Sequence, residues 1–140
     1  MRPVQVLLVE DNPGDADLTC ETFETSRLSL EIHVVSDGAE ALDYLLKRRS
    51  HVNATTPSLV LLDLNLPKIG GREVLAEMRQ HDELRMVPVV VLTSSDAERD
   101  IVESYRLGAN CYVTKPVDLQ AFQGIVRAIE GFWFNVVRLP

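Results

Sequence analysis

The sequence predicts an α/β protein: a doubly wound, five-stranded parallel sheet with five helices and a C-terminal apolar tail. Three observations predict it. A strand signal followed by a helix signal recurs five times within 140 residues. The strongest strand signals are nearly continuous apolar runs, as strands buried on both faces require. Polar residues stand at the ends of those runs, where open α/β sheets place their binding sites.

The first strand is Val4–Val9, an almost unbroken apolar run. Asn12-Pro13 reads as an N-cap with Pro at the first helical position, opening a helix to about Thr25. Residues 31–36 form a weaker strand that partly alternates. Asp37-Gly38-Ala39-Glu40 resembles a capping box and opens a helix to about Lys47. The polar stretch from Arg48 to Pro57 is long for a connection. Leu59–Leu62 is the next buried strand and runs into Asp63; after a loop from Pro67 to Gly71, a helix is expected to about Gln80. Residues 87–92 form a third strongly apolar strand, ending in Thr93. Ser95 and Glu98 open a helix to about Leu107, closed by Gly108 as the left-handed residue. Cys111–Thr114 is a short fifth strand. From Asp118, Leu119, Phe122, Ile125, Val126 and Ile129 recur at helical spacing.

Composition narrows the class. With 46% hydrophobic and 25% charged residues, the chain can bury a core without disulfides or a structural metal. A formal net charge of −7 makes it a poor nucleic-acid binder. The basic run Lys47-Arg48-Arg49 falls at an expected loop and reads as a solvated turn. Cys20 and Cys111 make neither a CxxC pair nor a zinc spacing, as expected of free thiols in a reducing cytosol. The start of the chain shows no signal-peptide pattern, and no apolar run approaches the ~20 residues of a membrane span. A cytoplasmic protein without membrane or nucleic-acid partners is therefore expected.

The polar residues at the strand ends carry the chemistry. Glu10 and Asp11 follow the first strand, Asp63 the third, Thr93 ends the fourth, and Lys115 follows the fifth. All converge on one rim of the sheet. Three carboxylates packed together repel one another, and a cation resolves the repulsion. Oxygen donors without His or Cys favour a hard ion, Mg²⁺ first and Ca²⁺ or Mn²⁺ next. A buried Lys115 ammonium would offset the remaining charge. Each residue also has a plain reading taken singly: Asp11 or Thr93 as a helix cap, Lys115 as a surface lysine, Tyr112 as packing. Together these require four coincidences at one rim.

Val9-Glu10-Asp11-Asn12, Leu61-Leu62-Asp63-Leu64-Asn65-Leu66-Pro67, Leu92-Thr93-Ser94 and Thr114-Lys115-Pro116 resemble the signature segments of two-component response-regulator receiver domains, in order and over essentially the whole chain. The resemblance implies a flavodoxin-like sheet of order 2-1-3-4-5. It implies that Asp63 is the nucleophile that becomes an aspartyl-phosphate at the expense of a phosphohistidine. Glu10, Asp11, Asp63 and the backbone carbonyl of Asn65 would hold Mg²⁺. Lys115 and Thr93 would contact the phosphoryl oxygens, Tyr112 would be the switch aromatic, and the bond to Pro116 would be cis. The protein would be a phosphoacceptor that assists its own phosphorylation and dephosphorylation, not an enzyme acting on other substrates.

Three other functions compete. A haloacid-dehalogenase-type phosphatase needs a second Asp two residues after the first, and here that residue is Asn65. A scaffold-type receiver typically lacks the Asp, Thr or Lys, all present here. A flavin carrier needs a Gly/Ser/Thr-rich phosphate loop where this chain has Glu10-Asp11-Asn12-Pro13. A narrower similarity extends through Asp63 to Lys68, Gly71 to Glu77, Asn110-Cys111-Tyr112 and the tail from Phe132 to Pro140. These segments are similar to the small response regulators that partner cyanobacterial and bacterial phytochromes, which implies a red-light-sensing histidine kinase as phosphodonor. Residues 1–131 are expected to form the receiver domain. Residues 132–140 are expected to be an arm that, with the last helix, makes a homodimer, because six large apolar residues there would otherwise meet water.

Overall fold

Five strands, β1 (Val4–Val9), β2 (Leu30–Val35), β3 (Leu59–Leu62), β4 (Val89–Thr93) and β5 (Cys111–Thr114), form one parallel sheet in the order 2-1-3-4-5. The computed structural model describes residues 4–24 and 29–115, together with Gly124 and Arg127, both helical. The expected helix from Asp118, the bond to Pro116 and the 132–140 arm otherwise lie outside the described residues.

Alternation along each strand divides the apolar residues between two faces. Leu7, Val9, Val60, Leu62, Val89 and Val91 point to one face. There they pack against helices α2 (Gly38–Leu45) and α3 (Gly71–Met78) through Ala41, Leu45, Val74, Leu75 and Met78. Val4, Val6, Leu8, Leu59, Leu61, Val90 and Leu92 point the other way, with Ala16 of helix α1 (Pro13–Phe23). This two-sided burial is why β1, β3 and β4 are nearly continuous apolar runs. Edge strand β2 leaves Val34 and His33 exposed, which accounts for its weaker signal.

The helix starts follow local chemistry. The Asn12 side chain accepts from the Asp15 amide at 3.0 Å, with Pro13 leading the helix. The Asp37 carboxylate accepts from the Glu40 amide at 2.7 Å. The reciprocal half of that capping box is displaced by one residue: Glu40 accepts from the Ser36 amide, not from Asp37. Ser95 does not cap the next helix, α5 (Glu98–Arg106), whose N-cap is Ala97; the Ser95 hydroxyl instead donates to Asp100. Two short helical turns were not visible in the sequence. Helix α4 (Asp82–Arg85) is anchored by the fully buried Leu84, and a 3₁₀ turn, Arg49–His51, lies inside the long polar connection. Both are too short to show a 3.6-residue period. The basic run is not wholly free, since Asp43 pairs with Arg48 at 3.3 Å and Arg49 at 3.0 Å.

Behind β3 the chain passes itself closely. A Cβ built on Gly71 would sit 2.3 Å from the Asp63 carbonyl oxygen and 2.7 Å from Leu64 Cα. Only glycine lets α3 start directly against the strand end. Gly71→Ala should therefore destabilise the fold by about 1–3 kcal/mol, the usual cost of overpacking a core. Thermal unfolding should show a melting temperature lower by several degrees, whereas an unchanged value would mean that the loop shifts freely.

Candidate functional site

The parallel register builds the site. Val9 pairs with Leu62, Leu62 with Val91, and Thr93 with Thr114. The residues that follow, Glu10, Asp63 and Lys115, are thereby carried to one rim. Backbone bonds hold each in place: the Glu10 amide donates to the Val35 carbonyl at 3.0 Å, Asp63 to Val9 at 3.1 Å, and Lys115 to Thr93 at 2.6 Å.

Glu10 is 4% exposed and Asp63 6%, while Asp11 stands in solvent. One carboxylate oxygen from each of the three lies within 4.8 Å of those of the others. Lys115 Nζ closes the cluster, donating to Glu10 Oε1 at 2.5 Å and to Asp63 Oδ2 at 3.1 Å. The other Asp63 oxygen accepts from the Asn65 amide at 3.0 Å. These groups line an open cleft of about 430 Å³, with Asn12, Asp15, Leu18, Thr19, Asn65 and Ser94.

The electrostatics follow from burial and pairing. Burial pushes the Glu10 carboxyl up to about 7 despite the opposing Lys115 ammonium, and the Asp63 charge adds to the rise. For Lys115, burial alone would lower the proton affinity. Hydrogen bonds to Glu10 and Asp15 and the charges of Asp63 and Glu10 outweigh it, so the ammonium is held well above its ordinary value. The donor set is all oxygen, anionic and clustered beside open space, so it fits a hard divalent cation.

Thr93 is fully buried at the end of β4, with its hydroxyl accepting from Asn65 Nδ2 at 3.4 Å; it does not cap α5. Tyr112 is half-buried, and its hydroxyl donates to the Ser95 carbonyl at 2.8 Å. Ser95 in turn reaches Asp100, which accepts from Arg72 of α3. The β4–α5 loop is thus tied to α3 and to β5. The structure brings Glu10, Asp11, Asp63, Asn65, Thr93 and Lys115 together, with Tyr112 one loop away.

Sequence reading missed Asp15. It lines the cleft and accepts from Lys115 Nζ at 3.1 Å. The available signal was its place three residues after the Asn12 cap, which puts it in the first turn of the helix beneath the same rim. That placement reads equally well as ordinary helix-dipole chemistry.

A five-stranded 2-1-3-4-5 sheet with an acidic cluster and a partly buried lysine at its C-terminal rim defines a receiver domain. Residues 6–127 match the response regulator receiver domain family, and the chain belongs to it. It is 45% identical over 138 residues to the response regulator Rcp1 of Synechocystis sp., covering 99% of this chain and 94% of that one. The Mn²⁺-bound form of Rcp1 superposes with a TM-score of 0.87, covering 99% of both chains. The phosphorylated cyanobacterial phytochrome response regulator RcpA superposes with a TM-score of 0.88 at 45% identity, again over 99% of each chain. The protein is thus a two-component response regulator, similar over its length to phytochrome response regulators.

Proposed function

We propose that Asp63 accepts a phosphoryl group from a sensor histidine kinase of the phytochrome class. Mg²⁺ would be held by Glu10, Asp11, Asp63 and the Asn65 carbonyl. The single observation that carries this is the Asp63 carboxylate, buried in an open acidic cleft with one oxygen on Lys115 Nζ at 3.1 Å. When bound, Mg²⁺ supplies charge neutralisation for phosphoryl oxygens.

The chain's own residues do the rest. The Asn65 amide, bonded to Asp63 Oδ1, fixes the rotation of the carboxylate and leaves Oδ2 toward Lys115 and the cleft. Asp63 Oδ2 attacks phosphorus, the bond to the histidine nitrogen breaks, and the phosphoryl group becomes an aspartyl-phosphate. Lys115 moves its ammonium from carboxylate to phosphoryl oxygens as charge spreads over them. No acid stands two residues after Asp63, because Asn65 offers only an amide there. We read the protein accordingly as a phosphoacceptor that assists its own phosphorylation and dephosphorylation. The Thr93 hydroxyl would donate to a phosphoryl oxygen, giving up the Asn65 contact. The β4–α5 loop and Tyr112 would then follow as a two-state element. Among the described residues no helix is long and apolar enough to cross a membrane, which suits a cytoplasmic partner of such a kinase.

The test is phosphotransfer. Incubation with an autophosphorylated phytochrome-class histidine kinase should empty the kinase and load the regulator within minutes. Thr93→Ala should load as well but lose the change in amide exchange around α5 and β5. A kinase that keeps its phosphoryl group, beside one of another class that gives it up, would reassign the partner. An unaltered exchange response in Thr93→Ala would remove Thr93 from the switch.

A further inference from the structure

Lys115 serves three carboxylates at once. Two of them, Glu10 and Asp63, belong to the acidic cluster and are almost wholly buried. The third, Asp15, comes from α1 and keeps 43% of its side chain in solvent. Its oxygens fall outside the group of three that can share an ion. Its position is fixed nonetheless, because its amide is bonded to Asn12 Oδ1 at 3.0 Å and its carbonyl accepts the Thr19 hydroxyl at 2.9 Å. A phosphoryl group on Asp63 turns the single carboxylate charge into up to two, carried on new oxygens that need the same ammonium.

We propose that Asp15 is a positioning residue for phosphoryl uptake. In the resting protein it shares Lys115 with Glu10 and Asp63, and its charge at the mouth of the cleft opposes anionic phosphodonors. Because Lys115 must release one partner to meet the incoming phosphoryl oxygens, the half-exposed Asp15, whose freed carboxylate water can solvate, is the contact that is given up. The inference rests on Asp63 as phosphoacceptor and deepens that reading: it assigns to α1 a control over which donors, and how fast, the site accepts.

The experiment measures phosphoryl uptake on the full chain from acetyl phosphate, a dianion, and from phosphoramidate, which carries less negative charge. Asp15→Asn should speed uptake from acetyl phosphate by roughly threefold to tenfold, the effect of one partly screened charge at close range. The gain should lie in the donor concentration needed for half-maximal rate rather than in the maximal rate. It should be smaller with phosphoramidate and should shrink in 1 M salt. Asp15→Glu, which keeps the charge, should stay close to wild type. Mn²⁺ affinity, measured directly, should fall in Asp15→Asn by no more than roughly the same threefold to tenfold, since a nearby screened charge and not a ligand is lost. Uptake in Asp15→Asn equal to wild type, or raised equally for both donors and at high salt, would overturn the proposal. So would a large loss of Mn²⁺ affinity, which would make Asp15 a ligand. Wild-type protein that takes up nothing would instead overturn the assignment of Asp63 itself.

Discussion

Asp63→Asn is expected to take up no phosphoryl group from either a kinase or a small phosphodonor, while wild type gains mass stoichiometrically. The amide has the same shape, so its oxygen can still accept from the Asn65 amide, a contact of 3.0 Å in the wild type. What is lost is the anionic oxygen that faces Lys115 and the cleft. An amide is not nucleophilic enough to attack phosphorus, so the loss is complete rather than graded. Stability should move the other way. Asp63 crowds Glu10 and Asp11 within 4.8 Å, and removing one of three like charges relieves repulsion. The variant without metal should therefore melt no lower than wild type. Intact-mass measurement decides the first point and thermal unfolding the second. Equal phosphate on both proteins would place the acceptor elsewhere.

Removal of divalent ions should abolish uptake without unfolding the protein. The acidic cluster and the developing phosphoryl charge would be left with Lys115 alone, and loss of one electrostatic stabiliser of this kind costs about 10²–10³-fold in rate. The two core clusters, in contrast, contain none of the candidate ligands, so far-UV circular dichroism should be unchanged in chelator. Metal affinity should also depend on pH with a definite sign. Burial holds the Glu10 carboxyl up to about 7, well above its ordinary value of 4.5. As pH falls through 7, the carboxyl takes up a proton that competes with the ion, so affinity should fall. In the metal-free protein the same shift works on stability. The folded state binds the proton that the unfolded state has lost, so the Glu10 contribution weakens as pH rises from about 4.5 toward 7. Mg²⁺ titrations at pH 6 and pH 8 check the first statement. Equal affinities would show that Glu10 does not contribute through its own charge, and undiminished uptake in excess chelator would rule out the ion.

The sheet was legible because burial on both faces leaves a local record. β1, β3 and β4 are apolar at nearly every position, and residues such as Asn12, Pro13 and Asp37 mark where helices begin without reference to the rest of the chain. Short elements leave no such record. Helix α4 is one turn resting on Leu84, and nothing periodic announces it. Arg79 shows the same limit for side chains. Its guanidinium donates to the carbonyls of Leu107, Arg85, Val87 and Gly108, joining two segments that have no recognisable pairing in sequence.

The site divides along the same line. The sequence by itself determined which residue types stand at the strand ends: Glu10, Asp11, Asp63, Thr93 and Lys115. A parallel sheet puts every strand's C-terminal end on one rim, so order along the chain was enough to gather them. Only the tertiary structure decided how the one ammonium is shared. The register of β4 and β5 sets the height of Lys115, and the angle at which α1 leaves β1 sets that of Asp15, 100 residues away in sequence. Tertiary structure likewise decided that Thr93 is buried against Asn65 instead of capping α5, and that Ser95 turns to Asp100. The physical reason is range. Burial and capping act between neighbours and are written in local pattern, whereas a charge takes the nearest partners that packing supplies, and packing is a property of the whole fold.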